Sequence, residues 1–229
     1  MDVRKHTDVI RELVSLGGAR VLDVGCGDGA LTRFLAREGA HATGIEVSAA
    51  ALVRARFAQA VADETFVEGA GERLPFPDAS VDAVIYMNAL HHVPVAAHAD
   101  AIAEAARVLK TGGALLVLEP LARGAYFELV RAVEDETEVR EAAYRAIGRA
   151  DQAGFQAVAE VVYDAPLKFA DFAAFEARIV AVDPRRAPIV ARLRETLQRG
   201  FAAAGRREAD GIHFSQPTRA NLLVNAGSL

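Results

Sequence analysis

This 229-residue chain is short of several things, and each shortage excludes something. It has one cysteine, Cys26, so an intrachain disulfide is ruled out. No apolar run approaches the roughly 18 residues of a membrane span. The opening Met1-Asp2-Val3-Arg4-Lys5-His6 has no basic patch leading into an apolar stretch, so no signal peptide is expected. The expected setting is therefore cytoplasmic, with no membrane contact. A surplus of positive charge is also missing. With 26 Lys+Arg against 31 Asp+Glu, the net charge of −5 leaves no electrostatic case for nucleic acid or an anionic membrane as partner. There is no internal repeat and no low-complexity segment.

What the chain does have is apolar material. At 52% hydrophobic it can fill a real core, and its length suits one large α/β domain or a core domain with an insertion. Strand and helix patterns alternate through the first 120 residues, the mark of a doubly wound parallel sheet with helices on both faces. Strands are expected at Arg20–Val24, Ala42–Glu46, Thr65–Glu68, Val81–Met87 and Ala114–Glu119. One helix begins after Ser48, a good N-cap, and carries Leu52, Val53 and Phe57. Another carries Ile102, Ala106 and Leu109 and is expected to stop at Gly112-Gly113.

The pattern changes after Pro120. Tyr126, Val130, Val133, Tyr144 and Ile147 fit helical spacing, and the acidic run Glu134-Asp135-Glu136 reads as a solvated face. Strand-like runs return at Ala157–Tyr163 and Arg219–Asn225. Between them Asp183-Pro184 reads as an N-cap followed by a helical proline, and Ile189, Leu193, Leu197 and Phe201 form one stripe. The expected organisation is a single domain: a cofactor-binding core at 19–120, a helical substrate cap at 121–150 and 171–210, and two final strands at 155–165 and 211–226.

The most informative stretch is Val21-Leu22-Asp23-Val24-Gly25-Cys26-Gly27-Asp28-Gly29. A β-branched run stops at a glycine loop, and a helical pattern follows. Such a loop lets a ligand approach the N–H groups of a helix N-terminus. Two templates fit. Gly25-Cys26-Gly27-Asp28-Gly29-Ala30 satisfies the dinucleotide fingerprint G-x-G-x-x-A, with Glu46 placed where a ribose-binding acid belongs. The same loop reads D-x-G-x-G-x-G from Asp23. Charge favours the second reading. Asp23 and Asp28 would repel a pyrophosphate, whereas S-adenosylmethionine brings an ammonium and a sulfonium that an acidic corner suits.

Three further segments follow in order: GIEVS (44–48), GERLPFPDASVDAVIYMNALHHV (71–93) and RVLKTGGALLVLEP (107–120). With VLDVGCGDG (21–29), they resemble the class I S-adenosylmethionine-dependent methyltransferases, in the small-molecule group that includes ubiquinone-biosynthesis C-methyltransferases. The resemblance implies a seven-stranded, mostly parallel Rossmann-like sheet whose last strand is antiparallel. It places Asp23, Gly25, Cys26 and Gly27 around the methionine part of the cofactor and Glu46 on both ribose hydroxyls. Val47 is expected against the adenine, with Gly71 and Glu72 near the ring and Asn88 beside the cofactor. One departure stands out: an acid that often precedes this last turn is replaced by Ala70. Its lost hydrogen bond should cost about 1 kcal/mol of affinity.

The acceptor is expected beyond the carboxyl ends of strands four and five. The candidates there are Asn88, His91, His92 and Glu119. An imidazole suits a general base, so His92 and then His91 are the candidate catalytic residues. His91, His92 and His98 do not have metal-ligand spacing, and no metal is expected. His213 and Tyr126 are candidates to line the pocket from the tail. Arg178, Arg185, Arg186 and Arg192 suit an anionic group on the acceptor. No N-P-P-Y-like segment follows strand four, and Cys26 is not in a Pro-Cys pair, which argues against DNA-base methylation. The expected activity is methyl transfer to a small molecule, with S-adenosylhomocysteine as product. The rivals are an NAD-dependent oxidoreductase and a cofactor-binding protein without catalysis. The sequence leaves the acceptor atom and the oligomeric state open.

Overall fold

A computed structural model describes residues 1–227. Its elements run α1 (His6–Leu13), β1 (Arg20–Val24), α2 (Ala30–Arg37), β2 (His41–Glu46), α3 (Ala49–Phe57), β3 (Thr65–Glu68), β4 (Val81–Met87), α4 (His98–Val108), β5 (Leu109–Pro120), α5 (Ala125–Arg131), α6 (Thr137–Ile147), β6 (Phe155–Phe169), α7 (Phe172–Val182), α8 (Ala187–Ala204), β7 (Arg206–Glu208) and β8 (Gly211–Asn225). They fall into two compact units. One holds His6–Glu119, Val139–Val161 and the chain from Arg219 onward; the other holds Met1–Lys5, Pro120–Glu138 and Val162–Thr218. Among the described residues, no helix is long and apolar enough to cross a membrane.

The strands lie in the order β3-β2-β1-β4-β5-β8-β6. The expected seven strands are present, and the three-residue β7 adds itself to the sheet by pairing antiparallel with β8. The pairs β2/β3, β1/β2, β1/β4 and β4/β5 are parallel. The strand order reverses direction between β1 and β4, which opens a crevice at the carboxyl ends of those strands. Register brings the ends level: Val24 pairs with Ile45 on one side and Tyr86 on the other, and Met87 pairs with Leu118. β1 shows why such a strand forms. Four of its five residues are buried, as a central strand covered on both faces requires.

Two boundaries differ from expectation for clear reasons. α4 ends at Val108 because Leu109 is already extended and pairs with Val81. Gly112-Gly113 does not stop the helix. It lies in a β-bulge, where the register slips between the pairs Val81/Leu109 and Ala83/Ala114 and Gly112 takes φ 80°. β6 begins where expected and runs on to Phe169, past the expected end at 165, while β8 fills the expected 211–226 to within one residue. Ser48 caps α3 as expected, accepting from the Ala51 N–H at 3.3 Å. The core here joins Leu22, Val24, Tyr86 and Leu115 to the small face of α4, Ala101 and Ala105. α6 packs into this same core through Ala143 and Ile147, although its residues were expected in the cap.

The second unit has its own core. Phe169, Phe175, Phe201 and Phe214 pack together with Tyr126 at centroid separations from 5.1 to 6.3 Å. In the α8 stripe Leu197 and Phe201 are buried, and Ile189 and Leu193 pack against them. Asp183 caps the short 3-10 turn Pro184–Arg186 that leads into α8. The acidic run is not simply a solvated face. Arg186 is buried and donates to Glu134 at 2.6 Å and to Glu136 at 3.0 Å, while Asp135 pairs with Arg131. Of the other arginines singled out, Arg185 pairs with Asp183, and Arg178 and Arg192 are exposed.

Phe175 is fully buried and meets four other rings, so Phe175→Ala should cost about 3–5 kcal/mol through the cavity it leaves. Urea denaturation followed by far-UV circular dichroism measures this. A loss below about 1 kcal/mol would show that the ring cluster is not a core.

Candidate cofactor and acceptor site

The site is built within the first unit, on the loops that leave β1, β2, β3 and β4. Gly25, Gly27 and Gly29 hold φ of 76°, 57° and 81°, so the loop is wound through left-handed conformations before α2. Gly25 is required twice. Besides its φ, a Cβ there would come to 2.6 Å of the Ala89 Cβ. The loop after β1 therefore lies directly against the turn after β4.

Asp23 is buried at the end of β1, and its Oδ2 accepts from the Thr32 hydroxyl at 2.7 Å. Burial lifts its carboxyl from the usual 3.8 to about 7, with smaller contributions from the charges of Glu46 and Asp28. Thr32 is a partner that sequence reasoning missed. Its signal was a polar residue on the inward face of α2, between Leu31 and Leu35. The Cys26 thiol is held far above its ordinary range by burial and by Asp23, so it is no nucleophile.

Glu46 closes β2 and is held from two sides. Oε2 accepts the Gly27 N–H and Oε1 the Ser48 N–H, each at 2.9 Å. The carboxylate thus ties the β1 loop to the start of α3. Each oxygen keeps a lone pair for a further donor. Val47 follows it and is 65% exposed, an apolar side chain with no core to join. The turn after β3 is tethered to the same strand end, since the Gly69 N–H donates to the Glu46 carbonyl. Gly71 is buried within that turn, under the Tyr86 hydroxyl, and Glu72 is half-buried beside it. Ala70 pairs with Arg73 across the turn.

After β4 the backbone is strained. Asn88 has φ 54°, rare for a residue with a Cβ, and its N–H donates to the Leu118 carbonyl at 2.8 Å. A 3-10 turn, Leu90–His92, follows. The Glu119 carboxylate, buried at the end of β5, accepts the N–H groups of Ala89 at 3.2 Å, Leu90 at 2.8 Å and His91 at 3.4 Å, and also bonds the His91 Nδ1. His91 is buried and His92 exposed, with ring centroids 4.0 Å apart. The structure therefore brings Asp23, Gly25, Cys26, Gly27, Glu46 and Val47 to one corner, and sets Asn88, His91, His92 and Glu119 on the turn that abuts it.

The other residues singled out serve local roles. The His98 Nε2 bonds the Val93 carbonyl at the start of α4. Tyr126 belongs to the aromatic cluster of the second unit. His213 pairs with Asp210 at 2.7 Å on the β7–β8 hairpin of that unit.

A glycine loop and strand-end acids stand at the crevice of a β3-β2-β1-β4-β5 sheet, the arrangement of a Rossmann-like fold. Comparison with known proteins narrows the class. The methyltransferase domain family matches residues 22–117. A ubiquinone biosynthesis O-methyltransferase of Xylella fastidiosa (strain M23) is 41% identical over 114 residues, covering 48% of this chain and 45% of that protein. A demethylmenaquinone methyltransferase of Tropheryma whipplei (strain Twist) is 44% identical over 103 residues, covering 44% of this chain and 42% of that protein. The chain thus spans about half the length of the curated relatives it matches. Over its whole length it shares its fold with the YcgJ protein of Bacillus subtilis, at a TM-score of 0.66 and 21% identity, covering 97% of this chain and 99% of that one. The domain match over residues 22–117 and the shared fold agree with the resemblance of the four motifs to class I S-adenosylmethionine-dependent methyltransferases.

The raised carboxyl of Asp23 gives a pH signature with a definite sign. The folded state binds this proton more tightly than the unfolded chain, so its stabilisation is full below about pH 4 and is lost as pH rises through about 7. Asp23→Asn should remove that component. The stability difference, mutant minus wild type without ligand, should grow in the mutant's favour from pH 4 to 7, by up to about 1.4 kcal/mol per pH unit. Urea midpoints across this range measure it, and a difference independent of pH would refute the assignment.

Proposed function

We propose that this protein transfers a methyl group from S-adenosylmethionine to a small-molecule acceptor. The observation that carries the proposal is the acidic corner: among the described residues no cation pairs with the carboxylates of Asp23, Asp28 or Glu46, and the nearby Arg33 donates to the Asp28 backbone carbonyl. Such a donor set fits a cofactor bearing an ammonium and a sulfonium and opposes a pyrophosphate, so the dinucleotide reading is disfavoured. When bound, the cofactor supplies an electrophilic methyl group to an acceptor nucleophile approaching in line. Asp23 would pair with the ammonium, and the N–H groups of the Gly25–Gly27 loop would serve the carboxylate. Glu46 is already oriented by Gly27 and Ser48, so its free lone pairs can accept two adjacent ribose hydroxyls with little ordering cost. Val47 would cover one face of the adenine, and the backbone at Gly71 and Glu72 would meet its edge.

On the acceptor side, Asn88 and the turn that follows it supply the surface. The relatives named for O-methylation support an O–H acceptor, whose proton must leave as the new bond forms. His92 is exposed on this turn and is proposed as the proton acceptor, with His91 as the second candidate. Selection of the acceptor is assigned to the chain beyond residue 117, where the family match ends.

Calorimetry with S-adenosylhomocysteine and with NAD tests the cofactor reading. Binding of the first and none of the second is expected, and the reverse would sink it. Glu46→Ala should weaken S-adenosylhomocysteine by about 1.5–3 kcal/mol for each charged hydrogen bond lost, while an unchanged affinity would remove Glu46 from the site. Cofactor binding with no turnover of a broad acceptor set would favour a binding protein without catalysis.

A further inference from the structure

We propose that Glu119 is a positioning residue: it sets the turn Asn88–His92 and fixes which nitrogen of His91 carries the proton. The proposal builds on the methyl-transfer reading only in taking this turn as the acceptor side. A 3-10 turn begins with N–H groups that have no partner of their own. The residue before this one is Ala89, which has no side-chain oxygen to cap it. The cap comes instead from the neighbouring strand. The register that pairs Met87 with Leu118 delivers Glu119 beside the turn, and one carboxylate oxygen takes the N–H groups of Ala89, Leu90 and His91. That support is matched to a cost, because Asn88 is held at φ 54° and must be kept there by its surroundings.

The second oxygen does different work. A carboxylate can only accept, so the His91 Nδ1 bonded to it must bear the proton. In the neutral ring Nε2 is then the acceptor nitrogen. Two assignments therefore rest on one buried carboxylate: the path of the turn and the tautomer of the ring packed 4.0 Å from His92. Glu119→Gln separates them. The amide oxygen still caps the backbone N–H groups, while the amide NH2 faces Nδ1 and requires it to be bare. The proton moves to Nε2, and the ring presents a donor where it had presented an acceptor.

Nitrogen NMR of the full chain labelled at histidine reads this directly. His91 of the wild type should carry its proton on Nδ1, and in Glu119→Gln on Nε2. A wild-type ring with a bare Nδ1, or the same tautomer in both proteins, would overturn the proposal. S-adenosylhomocysteine affinity by calorimetry should stay within about twofold in Glu119→Gln, because the cofactor corner does not depend on the tautomer. With a catechol as acceptor probe, kcat should fall by about tenfold or more with little change in KM, as expected of a wrong tautomer. The same substitution made in a His91→Gln background should cost less than about threefold in kcat. An equal cost in both backgrounds, or cofactor affinity falling in step with kcat, would mean that Glu119 is merely structural. If the wild type does not methylate the catechol, that counts against the choice of acceptor in the methyl-transfer reading, and the tautomer and affinity measurements still decide the role of Glu119.

Discussion

Peptide N–H groups in the loops at the carboxyl ends of parallel strands have no ladder partner, and in this protein strand-end carboxylates take them. Glu46 ends β2 and receives the N–H groups of Gly27 and Ser48. Glu119 stands at the end of β5 and receives those of Ala89, Leu90 and His91. A buried or half-buried peptide N–H left unpaired costs on the order of 1–3 kcal/mol, so each acid holds its loop firmly. The two loops then meet, because Gly25 lets the first pack against Ala89 of the second. The shape of this corner follows from that arrangement: one acid orders the loop after β1, the other orders the turn after β4, and a missing Cβ joins them.

The arrangement concentrates negative charge where the sheet is most enclosed. Asp23 is buried among like charges and is held at about 7 instead of its ordinary 3.8. The enclosed acid is unfavourable for the fold alone and favourable for a cationic ligand. That tension separates the two nucleotide readings of the loop better than its glycines do. The glycines describe a backbone that lets any nucleotide approach; the acids specify the sign of the charge that can stay.

Much of the fold was legible. β1, β3 and β4 match their expected bounds because short apolar runs end in unmistakable turns. The Ser48 cap was legible for the same local reason, a hydroxyl one residue before a helical pattern. Gly112-Gly113 misled because a glycine pair signals both a helix end and a bulge, and only pairing with β4 distinguishes them. The acidic run at 134–136 misled because its partner, Arg186, lies about fifty residues away in sequence and is brought to it by the packing of the second unit. Of the candidate site residues, Asp23 and Glu46 stand at the strand ends where motif and position put them. Thr32 was not singled out, since a threonine inside a helix attracts attention only once its hydroxyl is seen to face a buried acid.

The sequence by itself determined the element types, the sheet's opening half and the chemistry available at the glycine loop, because those depend on contacts a few residues apart and on the charges of Asp23, Asp28 and Glu46. It also placed both histidines after β4. Only the tertiary structure decided how those side chains are used. It set Glu46 between two loops, and it buried His91 against Glu119 while leaving His92 exposed. It also divided the second half of the chain between two cores. These outcomes depend on partners 19 to 52 residues apart, and no local pattern records which of many distant groups a fold will bring within hydrogen-bonding reach.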